Sequence, residues 1–238
     1  MSVFRKLKKI KSEFNLTVED NPFYVKGFLD NTQNYLNWKN VEEALNSNSH
    51  IWQILMPEEQ SGMVLDIPES RPYWLPHTIQ DKSFLKHHID AGNTFVITNY
   101  STHNTHTKHI TSCIEEVYNV AADIHVYGSK NVFTSFPPHA DNPANFIMQT
   151  YGETDWIVFD NRISHLLDSY DVGTVDELTP IIEVRLKPGD MLYLPSRIYH
   201  CAYPDEPRLS MSIPCMPLGP LNRSGDVLTL DKNYYKLS

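Results

Sequence analysis

Apolar and polar residues recur along the chain with two different periods, one near its start and another over its second half. Near the start, apolar side chains recur every three or four positions, as in an amphipathic helix, at Val3, Phe4, Leu7, Ile10 and Phe14. Beyond position 122, short apolar or β-branched runs separated by turn residues predict strands at 123–127, 131–136, 145–151, 155–160, 181–186, 190–194, 199–203 and 208–214. A series of short strands like this one is typical of a β-sandwich or a double-stranded β-helix barrel.

The region between these two patterns is mixed. A helix is predicted over 84–89, a strand over 94–98, and a second helix over 110–120, whose apolar positions share one face. The run 103–109 contains three histidines among serine, threonine and asparagine residues. Because no carboxylate or cysteine accompanies these histidines, a polar loop leading into the second helix is favoured over a metal site.

These elements predict a mostly β protein with flanking helices, built on a double-stranded β-helix (jelly-roll) barrel with an N-terminal α/β elaboration. The predicted boundaries are 1–93 for the elaboration packed on the barrel, 94–218 for the barrel and 219–238 for a C-terminal tail. The charged stretch 161–180 is too long for a hairpin, so it is predicted to be a loop or lid beside the site.

Charge is distributed unevenly over the 238 residues, whose net charge is −9. Five of the 20 basic residues lie in the first 11 positions, whereas residues 12–238 carry 15 basic and 29 acidic side chains. The excess of acidic residues in this part of the chain disfavours nucleic acid as a partner and would suit a basic protein or peptide substrate. The basic start is predicted to be a helix packed on the barrel, with its lysines in solvent.

The lengths of apolar runs, the first residues and the cysteines bear on the cellular compartment and on membrane association. No apolar run has the length needed to span a bilayer, and the first residues lack the pattern of a secretory signal. The three cysteines contain no CxxC pair. Free thiols in a reducing, cytoplasmic setting are therefore predicted, with no membrane association.

Chemistry is concentrated in His139-Ala140-Asp141 and the distant His200. In an extended strand, side chains at positions i and i+2 project to the same face, so His139 and Asp141 can hold one metal ion. Two imidazoles and one carboxylate occupy one face of an octahedron and leave three positions open, as non-haem iron(II) oxygenases require. The three residues are predicted to be both the metal ligands and the catalytic centre.

The sequence around His200 strengthens this prediction. Gly189 follows a proline in a turn signal, Pro195 ends a short apolar run, and His200 lies five positions further on. This spacing resembles the second motif of the cupins, with Arg197 at a place where that motif usually has glycine.

The segments flanking His139, 127–138 and 145–152, resemble the JmjC-type cupin oxygenases, and the resemblance covers roughly residues 94–216. It implies a cupin barrel, Fe(II) and 2-oxoglutarate as cofactors, O2 as cosubstrate, and hydroxylation or demethylation of a C–H bond. Many members of the family act on proteins.

One position departs from the pattern of that family. The resemblance implies a lysine or arginine fifteen positions after His139, where it would bind the far carboxylate of 2-oxoglutarate. Thr154 occupies this position, and its neighbours Glu153 and Asp155 are expected to repel a dicarboxylate. Another cation must replace the missing one, because an unpaired carboxylate is costly to bury.

Arg208-Leu209-Ser210, on the strand after His200, is the predicted replacement. An Arg-x-Ser pair resembles the anchor in other branches of the 2-oxoglutarate oxygenases, in which a guanidinium binds the carboxylate bidentately and the serine adds a hydroxyl donor. Further predicted cofactor contacts are Asn145 and Tyr127, with Ser135 as a weaker candidate. Arg162 and Arg185 are less favoured alternatives.

Two other functions remain open from the residues alone. The chain could be a metal-dependent cupin enzyme that does not use 2-oxoglutarate, for which Thr154 is the main argument. It could also be a non-catalytic cupin that binds a ligand or a partner.

Overall fold

The computed structural model describes residues 1–12, 21–47, 49–55, 63–64, 82–131, 136–164 and 177–218. The helices in these ranges are α1 (Val3–Lys11), α2 (Trp38–Asn46), α3 (Lys82–Asp90) and α4 (Thr105–Tyr118), with a 3-10 turn at Thr32–Asn34. The strands are β1 (Phe23–Val25), β2 (Ile51–Leu55), β3 (Met63–Val64), β4 (Thr94–Thr98), β5 (Val120–Ala122), β6 (His125–Ser129), β7 (His139–Ala140), β8 (Ala144–Tyr151), β9 (Thr154–Arg162), β10 (Pro180–Leu186), β11 (Met191–Leu194), β12 (Ile198–Pro204) and β13 (Arg208–Pro217).

The described strands form two antiparallel sheets. The larger sheet has the order β1-β11-β8-β13-β6-β4-β2-β3, with β5 paired to β13, and the smaller has the order β10-β9-β12-β7. From β6 to β13, consecutive strands alternate between the two sheets except at β9 and β10, which are neighbours in the smaller sheet, as in a jelly roll. The predicted fold, mostly β with a double-stranded β-helix barrel and flanking helices, is confirmed.

Two apolar layers result from the alternation of side chains along the strands. Between the sheets lies a cluster of buried side chains, comprising Ile147, Trp156, Val158, Leu186, Leu192, Leu194 and Ile198. On the other face of the larger sheet, side chains such as Phe146 and Met148 pack under the helices. Successive side chains on β8 and β13 therefore point alternately into the barrel and toward the helices.

The basic first helix packs against this second layer, as predicted. Leu7 is fully buried, and the Tyr118 hydroxyl of α4 donates a hydrogen bond of 3.5 Å to its carbonyl oxygen. Lys6 donates to the Phe28 carbonyl at 2.7 Å and pairs with Asp30, while Lys8 and Lys9 remain exposed. Phe14, which was assigned to the same helix, lies outside the described residues.

Several predicted boundaries need correction. The run 103–109 is not a loop throughout, because α4 begins at Thr105, where Asn104 accepts hydrogen bonds from the backbone of His106 and Thr107. Asparagine and threonine here form a helix cap instead of a loop. The predicted strand 123–127 is placed two residues later, as β6.

Other predictions fall partly on residues that the structure does not describe. In the strand predicted at 131–136, residues 132–135 are not described, and in the loop predicted at 161–180, residues 165–176 are not described. The whole tail, 219–238, also lies outside the described residues. The division at 93 stays a prediction, and β1 and β2, from the first part of the chain, join the larger sheet. All three cysteines are buried free thiols, and no helix in the described ranges has the length and hydropathy to span a membrane.

Candidate metal centre

His139 and His200 face each other across two neighbouring strands. They are register partners in the antiparallel pair β7–β12, and their ring centroids are 4.5 Å apart. His200 is buried, at 4% exposure, whereas His139 is half-buried. The pairing of two short strands thus brings together residues that are far apart in the sequence.

Backbone carbonyl groups fix the tautomer of both histidines. The Nδ1 atom of His139 lies 2.9 Å from the Pro137 carbonyl oxygen, and that of His200 lies 2.9 Å from the Ile198 carbonyl oxygen. A carbonyl oxygen can only accept, so each Nδ1 carries the proton and donates it. Both Nε2 atoms are then left with a free lone pair, which is the arrangement that metal-binding histidines show.

Asp141 completes the group from the loop after β7. Its backbone carbonyl accepts a hydrogen bond of 2.7 Å from the amide of Arg197, and its carboxylate Oδ2 lies 3.7 Å from His200 Nε2. One candidate ligand atom of each residue, His139, Asp141 and His200, lies within 4.8 Å of the others. Two neutral imidazoles and one carboxylate fit a divalent transition metal.

Electrostatics favour an unprotonated histidine at this site. Burial lowers the pKa of His200 well below its ordinary value, and the nearby His139 lowers it further, while Asp141 partly offsets both effects. Because the neutral form is the one that ligates metals, the buried ring is ready to bind a cation at neutral pH.

The residue at the usual glycine position of the second motif has the backbone conformation that glycine favours. Arg197 has a φ of 63°, in the left-handed region, and its carbonyl oxygen accepts a hydrogen bond of 3.1 Å from the Ile163 amide. An arginine in this conformation carries backbone strain of about 1 kcal/mol relative to glycine. The departure in sequence thus leaves the turn itself intact.

Arg208 lies on β13, on the face that points into the barrel. It is 5% exposed, its Nη1 donates to the Ser210 hydroxyl at 3.2 Å, and its Nε has no hydrogen-bond partner among the described residues. Burial lowers its pKa to about 10, and Tyr127 on the neighbouring β6 partly offsets this effect. A buried guanidinium with an unused donor is suited to bind an anion, and a carboxylate matches its planar geometry.

Thr154 also points into the barrel, but its acidic neighbours do not. It is fully buried, on the same face of β9 as Trp156, and its hydroxyl lacks a partner within the described part of the chain. Glu153 and Asp155 lie on the outer side, where Arg185 binds them at 2.6 and 3.0 Å. The expected repulsion of a dicarboxylate by these two acids is therefore wrong, and Arg185 is committed to surface ion pairs.

Sequence reasoning missed three polar residues of this interior. Ser212 donates to Asn145 Oδ1 at 3.1 Å, and His125 on β6 is the register partner of Ser212. Gln149 is fully buried, and its Oε1 has no partner among the residues described. The signal for Ser212 was present, since it continues the i, i+2 series of Arg208 and Ser210.

Of the other predicted contacts, Asn145 lies beside the metal ligands, where its side-chain amide donates to Asp141 Oδ2 at 3.3 Å. Tyr127 is the register partner of Ser210. Arg162 is half-buried on β9, opposite Ile198, while Ser135 lies outside the described residues. That the interior set binds a cosubstrate remains a prediction.

A jelly-roll barrel that brings together two histidines and one carboxylate has the arrangement expected of a cupin-type metal site. The model of the JmjC domain family matches residues 99–218, and the chain belongs to this family. The fold thus agrees with the family expected from the motifs around His139 and His200.

Two curated relatives illustrate how far the similarity extends. The bifunctional lysine-specific demethylase and histidyl-hydroxylase NO66 of Drosophila persimilis is 26% identical over 127 residues, which are 53% of this chain and 18% of that protein. Ribosomal oxygenase 2 of Bos taurus is 39% identical over 67 residues, 28% of this chain and 14% of that protein. The chain therefore matches less than a fifth of either relative.

Among solved structures, the ribosomal oxygenase YcfD of Escherichia coli in complex with cobalt and 2-oxoglutarate has a TM-score of 0.59 and 16% sequence identity. The match covers 90% of this chain and 52% of that chain. At this identity the similarity establishes the fold alone.

Proposed function

We propose that this chain is an Fe(II)- and 2-oxoglutarate-dependent oxygenase that hydroxylates or demethylates a protein or peptide side chain. The observation that carries the proposal is the convergence of His139, Asp141 and His200, with both Nδ1 atoms bound to carbonyl oxygens and both Nε2 atoms available. The donor set suits iron(II) and leaves room for a chelating cosubstrate.

Arg208 is the proposed anchor for the far carboxylate of 2-oxoglutarate. Its guanidinium is buried on the same face of β13 as Ser210 and Ser212, and Ser212 is linked to Asp141 through Asn145. The interior face of one strand therefore leads from the proposed anchor to a metal ligand. When bound, iron(II), 2-oxoglutarate and O2 together supply the oxidation of a C–H bond to an alcohol, with succinate and CO2 as the other products.

The protein supplies binding, orientation and exclusion of water. The buried apolar cluster between the sheets, which includes Trp156, Val158 and Leu194, lies beside the site, with the Trp156 ring 6.1 Å from the His200 ring. In such surroundings the attraction between Arg208 and a carboxylate is stronger than it would be in water. Ser210 holds one arm of the guanidinium and so limits its rotation.

A protein side chain is the proposed substrate class for two reasons. The names of the matched relatives describe a lysine demethylase, a histidyl-hydroxylase and ribosomal oxygenases. In addition, residues 12–238 of this chain carry an excess of acidic groups, which favours a basic polypeptide over a small anion. A residue such as Lys or His on that polypeptide would present the reacting C–H bond.

The test is an anaerobic titration of the apo protein with Fe(II) and then 2-oxoglutarate. The expected result is a visible charge-transfer band for the wild type and for the control His87→Ala, which alters an exposed histidine on α3. The band should be absent in His139→Ala. Iron binding without any band would overturn the cosubstrate assignment and favour a metal-dependent cupin of another kind, and no iron binding at all would overturn the enzyme assignment.

A second assay follows turnover. In air, the wild type should convert 2-oxoglutarate to succinate at a slow rate without substrate, and faster with a basic peptide that it hydroxylates. Asp141→Ala should abolish both rates. Mass spectrometry of the peptide would distinguish hydroxylation, which adds one oxygen atom (about 16 Da), from demethylation, which removes one CH2 group in net (about 14 Da).

A further inference from the structure

We propose that Ser212 and Asn145 are positioning residues that together orient the Asp141 carboxylate for the metal ion. The inference rests on the proposed function, because it concerns the same metal site. It assigns a role to Ser212, and it gives Asn145 a role other than direct contact with the cosubstrate.

The three residues form one continuous hydrogen-bonded chain. The Ser212 hydroxyl donates to Asn145 Oδ1 at 3.1 Å, and Asn145 Nδ2 donates to Asp141 Oδ2 at 3.3 Å. The same Nδ2 also donates to the Pro143 carbonyl oxygen at 3.3 Å. Asn145 is 3% exposed and Ser212 8%, so water has little access to compete for these bonds.

The chemistry of the partners determines which way the Asn145 amide faces. On one side are the Asp141 carboxylate and the Pro143 carbonyl, which only accept hydrogen bonds, so the amide NH2 must face them. The amide oxygen then faces β13, where the Ser212 hydroxyl is its donor. A rotated amide would place its oxygen against two acceptors, so the observed orientation is the stable one.

Asp141 needs this support more than the two histidines do. β7 ends at Ala140, so no strand pairing holds the Asp141 side chain, which is 31% exposed. The Arg197 amide fixes only the backbone carbonyl of Asp141. Within the described part of the chain, the hydrogen bond from Asn145 restrains the carboxylate, and Ser212 restrains Asn145 in turn.

The experiment measures Co(II) affinity and the visible Co(II) spectrum of the apo protein without 2-oxoglutarate. Ser212→Ala and Asn145→Leu should each weaken Co(II) binding by about 10- to 100-fold, as is usual for the partners of metal ligands, and should alter the Co(II) bands. Ser212→Ala added to Asn145→Leu should cause no further loss, because the hydroxyl acts through the amide. Ser212→Thr, which keeps the hydroxyl, should bind Co(II) nearly as the wild type does.

Thr150→Val is the matched control. Thr150 lies on the same strand as Asn145, five positions further along, is 1% exposed, and donates its hydroxyl to the Leu209 carbonyl at 3.0 Å. The variant loses a buried hydroxyl bond of the same class, so its stability should fall while Co(II) affinity and spectrum stay unchanged. This comparison separates positioning from a general loss of stability.

Each other outcome overturns a defined claim. Wild-type Co(II) affinity and spectrum in both Ser212→Ala and Asn145→Leu would overturn the positioning role while leaving the proposed function intact. Weaker 2-oxoglutarate binding with unchanged Co(II) affinity would also overturn it and would make Asn145 a cosubstrate contact. If Ser212→Ala does not fold, Asn145→Leu carries the same test. The proposed function itself would be overturned if the wild type bound no Co(II), or if His139→Ala bound Co(II) as tightly as the wild type.

Discussion

Replacing Arg208 by methionine should change apo stability and 2-oxoglutarate affinity in opposite directions. Arg208 is buried at 5% exposure, with its Nε lacking a partner among the described residues, so its charge is poorly compensated without a ligand. Methionine keeps a long, flexible stem of similar shape and removes the charge. If Arg208 only stabilised the fold, its replacement would lower stability and leave 2-oxoglutarate affinity unchanged.

The stability change can be worked from the pKa of the guanidinium. Burial lowers this pKa to about 10, and the shift from the ordinary value corresponds to about 3 kcal/mol against the charged form in the folded protein. The folded-state pKa lies below the unfolded value, so the cost is present in full below about pH 10 and disappears as the pH rises from there to the unfolded value. At neutral pH, the free energy of unfolding of Arg208→Met should therefore rise by about 1–3 kcal/mol. For a chain of this size, each kcal/mol corresponds to a rise of about 2–4 °C in Tm.

The affinity change follows from the loss of a buried charge pair. Truncating one partner of such a pair costs about 2–5 kcal/mol, so 2-oxoglutarate should bind roughly 30- to 3,000-fold more weakly to Arg208→Met. Thermal melts of the apo protein give the first quantity, and titration of the charge-transfer band gives the second. A lower Tm with unchanged 2-oxoglutarate affinity would refute the reasoning, because Arg208 would then be a structural cation.

Three further predictions concern the surroundings of this anchor. Thr154→Lys in the Arg208→Met background should restore 2-oxoglutarate affinity to within about tenfold of the wild type, since Thr154 is buried on the interior face; titration of the charge-transfer band checks this. Gly152→Ala should cost about 3 kcal/mol or more in thermal melts, because its φ is +65° and a Cβ would overlap a backbone carbonyl oxygen. Its control Gly27→Ala, at a φ of +61° with open space around it, should cost only about 1 kcal/mol. Arg185→Ala should lower stability slightly, less so at high salt, and leave 2-oxoglutarate affinity unchanged, because its three ion pairs lie on the surface.

The convergence of His139, Asp141 and His200 was predictable because the signals in the sequence are local. The motif around His200 is a turn, a strand and a second turn, each specified by nearby glycine and proline residues. The argument for His139 and Asp141 was less complete, since it assumed one strand through both residues, whereas β7 ends at Ala140. Asp141 reaches the site through a backbone bond from Arg197, and that contact joins segments far apart in the sequence.

Elements of the first ninety residues were harder to predict for a different reason. β1 and β2 are too short for their sequences to show a clear periodicity. They are stabilised by pairing with β11 and β4, which the local sequence does not reveal. The start of α4 was missed because Asn104 and Thr107 were interpreted as loop residues. These side chains compete with the backbone for hydrogen bonds in a loop, yet they satisfy the free amides at a helix start.

The proposed replacement of a cation at Thr154 by Arg208 would explain how a positional motif can be lost while its chemistry is kept. Both residues point into the same barrel, one from β9 in the smaller sheet and the other from β13 in the larger sheet. A carboxylate held between two sheets can be bound from either side, so a guanidinium on β13 can do what an ammonium on β9 does elsewhere. The requirement is then one buried cation on the interior surface, with no fixed place in the sequence. In this chain Arg208 is the cation proposed to meet that requirement, and the buried Thr154, on the smaller sheet, has a side chain too small to compete with it for the ligand.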